Sequence, residues 1–485
     1  MNYRMVVFVL GRIFLVEAAM LLLPMACSAI YGEWYMLPAF LLPAVILLLL
    51  GLAASLRTPK NTTIYARDGL AIVALVWVLM SAFGALPFVI SGEIPAFADA
   101  FFEMVSGFTT TGSTILNDVE ALSRGALFWR SFSHWVGGMG VLVFAMAVLP
   151  MTDGRAMHLM RAEVPGPTCG KLSSKLSDSA KILYGIYFAM TALEVVFLCA
   201  GGMSLYESLI HSFGTAGTGG FSNRGLSIGA YQNPYFEWVI GIFMLLFGVN
   251  FNLYYFILMR HFREAFGSEE LRAYLGIVLF STVTIAANIL SMVGSVGEAV
   301  RTAFFQVSSI ITTTGYATAD FNLWPTYSRI LLLVLMFVGG CAGSTAGGLK
   351  MSRVIIFFKA ARQDLNKMLH THAVTTIRFE GKPLDEKTLQ GVHNYFNVYM
   401  LLIMLSTVLV SLDGFDLTTT FTAVITCINN VGPGMELVGP MGNFSQFSAP
   451  VKYLLSFNML AGRLELYPML AMFAPRLWRR RRTMR

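Results

Sequence analysis

Four short polar stretches hold the groups with which this chain could do chemistry: TTTGST (109–114), GTGGFS (217–222), TTTGYA (312–317) and NNVGPG (429–434). They align on Gly112, Gly220, Gly315 and Gly432, which lie 108, 95 and 117 residues apart. None of them contains a carboxylate. What such residues offer is backbone carbonyls and hydroxyls, which can replace part of the water shell of a cation. Neutral dipoles suit a large monovalent ion that has to leave again, whereas a carboxylate cage would suit calcium or magnesium. Glycine is expected once per stretch, where the chain needs a conformation closed to other residues and where four strands crowd one axis. The residues assigned to ion binding are Thr110, Thr111 and Gly112; Thr218, Gly219 and Gly220; Thr313, Thr314 and Gly315; and Asn430, Val431 and Gly432. One TTTG alone reads as a helix break, but four at matched positions imply a common centre.

The elements that must position these stretches repeat with them. Each follows a semi-apolar segment with helical periodicity, at 96–108, 203–216, 296–311 and 417–428, too short to span a bilayer. A long apolar window precedes each segment and another follows each polar stretch. The unit is helix, half-helix, polar loop, helix, about a hundred residues long and used four times. Half-helices that end at one axis bring their negative C-terminal dipole ends toward it, about half a charge each.

Composition sets the surroundings. The chain has 485 residues, of which 56% are hydrophobic and 13% charged, too little polar surface for a soluble domain. Ten windows are apolar enough for membrane spans: 5–31, 35–56, 69–91, 127–150, 180–201, 236–259, 273–295, 326–360, 392–412 and 450–475. The first is too long for a secretory signal and is interrupted by Arg12 and Glu17. The expected fold is an all-α polytopic membrane protein, with two N-terminal helices and four helix–pore loop–helix repeats around one pseudo-fourfold pore. The boundaries read as an N-terminal pair and linker (1–68), repeat 1 (69–152), a linker (153–179), repeat 2 (180–262), repeat 3 (263–362), a linker with a hairpin (363–391), and repeat 4 with a basic tail (392–485). In the last linker VTTIRF alternates like a strand and EGKP reads as a turn. Its packing partner could be this chain's own helix ends or another protein.

Lysine and arginine concentrate in 57–68, 153–181, 260–272, 353–387 and the tail RLWRRRRTMR. Glu93, Asp99, Glu103, Asp118 and Glu120 lie on the other side. This bias places both termini in the cytoplasm. It also accounts, with anionic lipid headgroups, for the net charge of +7 without nucleic acid. The five cysteines are scattered without metal-ligand spacing. No P-loop, GxSxG or HExxH occurs, so no catalytic pair is available to an enzyme. His134 and His211 read as interfacial packing near outer helix ends.

Two anomalies remain. GGCAGSTAGG (339–348) puts five glycines, Gly339, Gly340, Gly343, Gly347 and Gly348, inside an apolar window. Each interior glycine weakens a helix by about 1 kcal/mol. The segment is either a flexible break in the ion's path or a site of close packing through small residues. Lys350 behind it is expected at the cytoplasmic mouth. Arg463 lies within the last window, where a charge is usually functional, the alternative being a buried ion pair.

The chain resembles the TrkH family of bacterial potassium-uptake subunits, within the Trk/Ktr/HKT superfamily, over nearly its whole length. The resemblance is carried by SGFTTTGST (106–114), GTAGTGGFSNR (214–224), ITTTGYATADF (311–321), INNVGPG (428–434), GGCAGSTAGGLK (339–350), VPGP (164–167) and AGRLELYP (461–468). It implies a gated, potassium-selective pathway for potassium uptake, in the bacterial inner membrane. Potassium is the ion at the filter residues, with no organic cofactor in this chain. It also implies a homodimer, and a cytosolic TrkA-like ring that binds nucleotides. The family's gating loop maps to 339–348 with its five glycines, and a pore-wall arginine maps to Arg463. Some relatives carry serine for the first filter glycine and admit sodium, so Gly112 favours potassium. Gly112→Ser is expected to fold and to pass more sodium, because one quarter of the carbonyl ring is distorted. The two leading helices favour the Trk branch; the alternative is an ion-coupled (proton or sodium) symporter of the Ktr type. Asparagine and valine at 430 and 431 depart from the threonines of repeats 1 and 3.

Overall fold

The computed structural model describes residues 1–61, 64–140, 176–370 and 376–478. The VPGP segment, most of linker 153–179 and the arginine tail from 479 onward lie outside the described residues. Almost all regular structure is helical, as expected of an all-α polytopic membrane protein. Among the described residues six helices are long and apolar enough to cross a bilayer: Tyr3–Ile30, Trp34–Ser55, Ala66–Ser91, Lys181–Ala200, Glu269–Val293 and Glu386–Asp413. Large apolar side chains such as Leu279, Phe280, Leu401 and Leu405 face outward on these helices. A water-soluble surface would not carry so many of them.

The remaining windows are interrupted. The second helix of repeat 2 breaks between Pro234–Phe247 and Phe251–Leu258, with a 91° bend. In repeat 3 the helix Thr326–Val338 stops at Gly339 and a new one, Met351–Leu369, begins past the glycine-rich segment. In repeat 4 Ala449–Arg463 ends where Glu465 and Leu466 both take positive φ. In repeat 1 Arg124–Gly138 ends at Met139. All four second helices thus stop short after 13 to 15 residues.

The half-helices are Phe97–Phe108, Leu205–Gly217, Val296–Ile311 and Leu417–Asn429. At 1.5 Å per residue, helices of 12 to 16 residues reach about 18–24 Å, short of a bilayer core of about 30 Å. Their starts are encoded locally: Ser204, Ser295 and Asp416 cap the backbone N–H groups of Glu207, Glu298 and Thr419. Each half-helix packs on the first helix of its own repeat and on the second helix of the preceding repeat. Leu205–Gly217 lies on Arg124–Gly138, Val296–Ile311 on Pro234–Phe247, and Leu417–Asn429 on Thr326–Val338. Phe97–Phe108 completes the circuit on Ala449–Arg463 of repeat 4. The four repeats therefore close into a ring within one chain. The N-terminal helices pack on each other and on repeat 1, outside this ring.

The hairpin expected in linker 363–391 forms at Arg378–Phe379 and Lys382–Pro383, antiparallel across Glu380–Gly381. Residues 371–375 lie outside the described residues. Phe379 is buried with Ile356 and Val392, so the hairpin packs on this chain's own helices.

Candidate functional site

All four half-helices end in the same way. The N–H groups of Thr111, Gly219, Thr314 and Val431 donate to the carbonyls of Ser106, Gly214, Ser309 and Thr426, at 2.8–2.9 Å. This bond, five residues back, is the signature of a left-handed helix cap. The residue in that conformation is Thr110 (φ 55°), Thr218 (φ 57°), Thr313 (φ 56°) or Asn430 (φ 55°). Two residues later Gly112, Gly220, Gly315 and Gly432 are left-handed again, at φ 76–101°. The residue between has negative φ in every strand. Alternation of hand along a strand turns successive carbonyls to the same side, which is what coordination of a cation requires.

The strands touch in cyclic order. A side chain added at Gly112 would strike the carbonyl oxygen of Gly219, one at Gly220 that of Thr314, and one at Gly315 that of Val431. At Gly432 it would meet the carbonyl oxygen of Thr111 at 2.7 Å. The four strands of twelve sequence-assigned residues therefore come together at one axis. Serine at position 112 would press on the second repeat as well as the first, so its distortion is not confined to one quarter.

Hydroxyls brace this ring from behind. Thr109 and Thr111 share a hydrogen bond of 2.8 Å and Thr312 and Thr314 one of 2.7 Å, while Thr109 and Thr312 also donate back to Val105 and Ser308. The fourth strand, with Val431 in place of a threonine, is tied differently. The Asn430 amide donates to Thr111 Oγ1 and to the Met459 carbonyl, both at 2.9 Å. Asn430 is thus a strut between repeats 4 and 1.

Below the ring the segment 339–348 leaves the helical path as expected. Its ends meet: Leu349 N donates to the Phe337 carbonyl and Met351 N to that of Gly340. Gly339, Gly343 and Gly348 take φ of 71–77°, and Gly340 lies against Gly248. Cys341 N donates to the Gly248 carbonyl and Thr345 Oγ1 to that of Phe247, both in repeat 2. Gly347 N donates to Thr313 Oγ1 at 2.6 Å, and Gly348 N to the Asn429 carbonyl. Arg463 donates to the Thr345 carbonyl at 2.7 Å and to the carbonyls of Gly137 and Gly138 at 2.5 Å. The segment is tied to repeats 2, 3 and 4 directly and to repeat 1 through Arg463, so it lies across the axis. Glu465 pairs with Arg353.

Three expectations are corrected. Lys350 does not face outward; it is buried, and its ammonium turns back onto the Ala346 carbonyl. His134 and His211 are not interfacial but wholly buried. His134 Nδ1 bonds the Gly107 carbonyl at 2.7 Å and Nε2 accepts from Phe221 N, joining repeats 1 and 2. His211 bonds Ser222 in its own repeat. Apolar neighbours in the sequence gave no sign of these partners.

Sequence reasoning also missed Glu103 and Arg130, paired at 2.6 Å with both side chains buried. Glu103 accepts from Thr114 Oγ1 and Ile115 N, and Arg130 stacks 4.0 Å over the Phe221 ring. They brace the chain just past the first and second glycines. Their 27-residue separation matches no motif; Glu103 was read only as loop charge, and Arg130 was passed over inside the apolar window 127–150.

Fold and site together define a polytopic membrane protein built on a pseudo-fourfold core of re-entrant half-helices. The family model described as TrkH, cation transport protein, matches residues 37–480, and the chain belongs to this family, one of transporters and not of enzymes. The Trk system potassium uptake protein TrkH of Escherichia coli K12 is 38% identical over 421 residues, covering 85% of this chain and 86% of that protein. TrkH of Vibrio parahaemolyticus is 32% identical over 487 residues, covering 99% and 100%. The crystal structure of the potassium transporter TrkH from Vibrio parahaemolyticus superimposes with a TM-score of 0.88 at 30% identity, over 99% of this chain and 100% of that one.

Proposed function

We propose that this chain is the pore-forming subunit of a Trk-type potassium-uptake system, a gated and potassium-selective pathway. The observation that carries the reading is the closed ring of four strands with alternating backbone hand, each glycine against its neighbour's carbonyl. Twelve residues, from Thr110 to Gly432, form the filter that replaces the ion's water. Neutral carbonyls hold the ion weakly enough to release it. Beneath them 339–348 and Arg463 form the gate, since a segment tied to all four repeats obstructs whatever leaves the filter. The protein lies in the bacterial inner membrane with both termini in the cytoplasm, as the arginine and lysine bias argues. It works as a homodimer with a cytosolic nucleotide-binding ring. The potential supplies about 2.3 kcal/mol per charge per 100 mV for uptake.

The test is rubidium flux into proteoliposomes, with potassium, sodium and caesium as competitors. Competition by potassium and caesium but not sodium is the expected result. Flux locked to a fixed proton or sodium stoichiometry would instead establish the ion-coupled symporter.

A further inference from the structure

Most of what holds segment 339–348 is backbone of the surrounding repeats and Arg463. An acidic side chain also reaches it, from the basic side of the bundle. Glu270, in the first turn of helix Glu269–Val293, is buried, and its Oε1 accepts from Ala342 N at 2.8 Å and Ser352 N at 2.9 Å. One oxygen thereby joins the start of the segment to the first turn of helix Met351–Leu369, the element that follows it. If the segment swings away while that helix stays, one of the two bonds must break. Two N–H groups on one carboxyl oxygen hold more firmly than a single neutral bond, and more firmly still when that oxygen is ionised. The carboxylate also lies at the positive end of the Met351–Leu369 dipole.

Glu270 is itself held from outside. The hairpin turn has positive φ at both central residues, Glu380 (49°) and Gly381 (74°), the geometry of a tight two-residue hairpin. This aims Glu380 at the start of helix Glu269–Val293. Its Oε1 accepts from Ser268 Oγ at 2.8 Å and from Glu270 N at 3.0 Å. Lys359 adds a second tie, donating to the Arg378 carbonyl at 2.8 Å and pairing with Glu269 at 2.5 Å. The hairpin thus grips helix Glu269–Val293, which carries Glu270, and helix Met351–Leu369, which follows the segment, and none of these groups belongs to the glycine ring.

We propose that Glu270 is the latch that keeps segment 339–348 beneath the ring, and that Glu380 positions this latch from the hairpin. The proposal rests on the reading of 339–348 as the gate. Displacement of the hairpin, by whatever binds it, withdraws Glu380 from the Glu270 backbone, tilts the first helical turn and loosens the latch.

The test uses the full-length protein in planar bilayers. Glu270→Ala should raise open probability about tenfold, the loss expected for one bond to a charged group. Glu270→Gln keeps an acceptor oxygen and should restore most of the closed time. Glu380→Ala should act in the same direction more weakly, and should add nothing in the Glu270→Ala background. The potassium-to-sodium permeability ratio should not move in any of them. With Cys341 as the sole cysteine, its modification by a methanethiosulfonate reagent should accelerate in the same order. If Glu270→Ala does not fold, Glu270→Gln alone must still show a raised open probability and faster Cys341 modification. Wild-type open probability in the Glu270 variants, while Arg463→Ala still raises flux, would overturn the latch and leave the gate standing. Unchanged flux in Arg463→Ala and in a 341–347 deletion as well would overturn the gate itself. An additive effect of Glu380→Ala would show that it does not act through Glu270, and a shifted permeability ratio would mark a general distortion instead of a latch.

Discussion

A residue with a side chain and positive φ carries strain of order 1–3 kcal/mol, and Thr110, Thr218 and Thr313 all sit there. Asn430 occupies the fourth position, and asparagine is the side-chain-bearing residue best suited to that conformation. The departure of NNVG from TTTG thus relieves strain as it adds the strut to Thr111 and Met459. The glycines of the ring were legible in the sequence because few other residues fit their conformation. The left-handed threonines were not, because threonine has no preference for it. Serine at each ring glycine should raise the sodium-to-potassium permeability ratio and lower stability by about 1–3 kcal/mol. Gly432→Ser should be the mildest, since its neighbouring carbonyl is 2.7 Å away and the other three are closer. Reversal potentials and thermal unfolding of the four variants check this ranking, and an outlying harmless Gly112→Ser would contradict the ring geometry. Glu103→Gln should remove about 3 kcal/mol by stranding the buried Arg130. A melting temperature equal to wild type would show that the pair is not a brace.

The elements divide by the kind of signal that encodes them. Half-helices such as Leu205–Gly217 and Val296–Ile311 announce themselves through short apolar periodicity ahead of a polar stretch, and their number and place were readable. The broken second helices were readable only in repeat 3, where five glycines crowd the break. The 91° bend at Phe247–Phe251 meets segment 339–348 through the Phe247 and Gly248 carbonyls, and the helix that stops at Arg463 meets it through that side chain, contacts which no window of sequence contains. Arg463 shows the difference: its charge marked it, but the carbonyls of Thr345, Gly137 and Gly138 that it bonds come from repeats 3 and 1. Deleting part of 341–347, or Arg463→Ala, should raise rubidium flux about tenfold, the equivalent of 1.4 kcal/mol off a barrier. Selectivity should be retained, because the ring above is untouched. Unchanged flux in a folded, membrane-inserted variant would place the gate elsewhere.

For the whole molecule, the sequence reading recovered the count of repeats, but not the closure of repeat 4 onto repeat 1. That contact joins Phe97–Phe108 to Ala449–Arg463, more than three hundred residues away. The hairpin was expected and is present, yet its apolar side is taken by Ile356 and Val392 of this chain. A soluble partner would therefore meet its exposed residues, Arg378, Lys382 and Pro383, and the basic face around them. Single-channel activity should respond to nucleotides only when a ring partner is added, because no nucleotide motif occurs here. A response of the isolated subunit to nucleotide would refute that division of labour. Replacing 378–383 with a glycine-serine linker should weaken coupling to the ring more than it weakens binding.

Closure of the ring within one polypeptide has a genetic consequence. In a channel assembled from four identical subunits, one codon change lands on all four quarters at once, and a mildly harmful substitution is multiplied. Here each quarter drifts on its own. A single lineage could replace the fourth threonine by asparagine, and elaborate one second helix into a glycine-rich excursion, while three quarters stayed intact to preserve viability at every step.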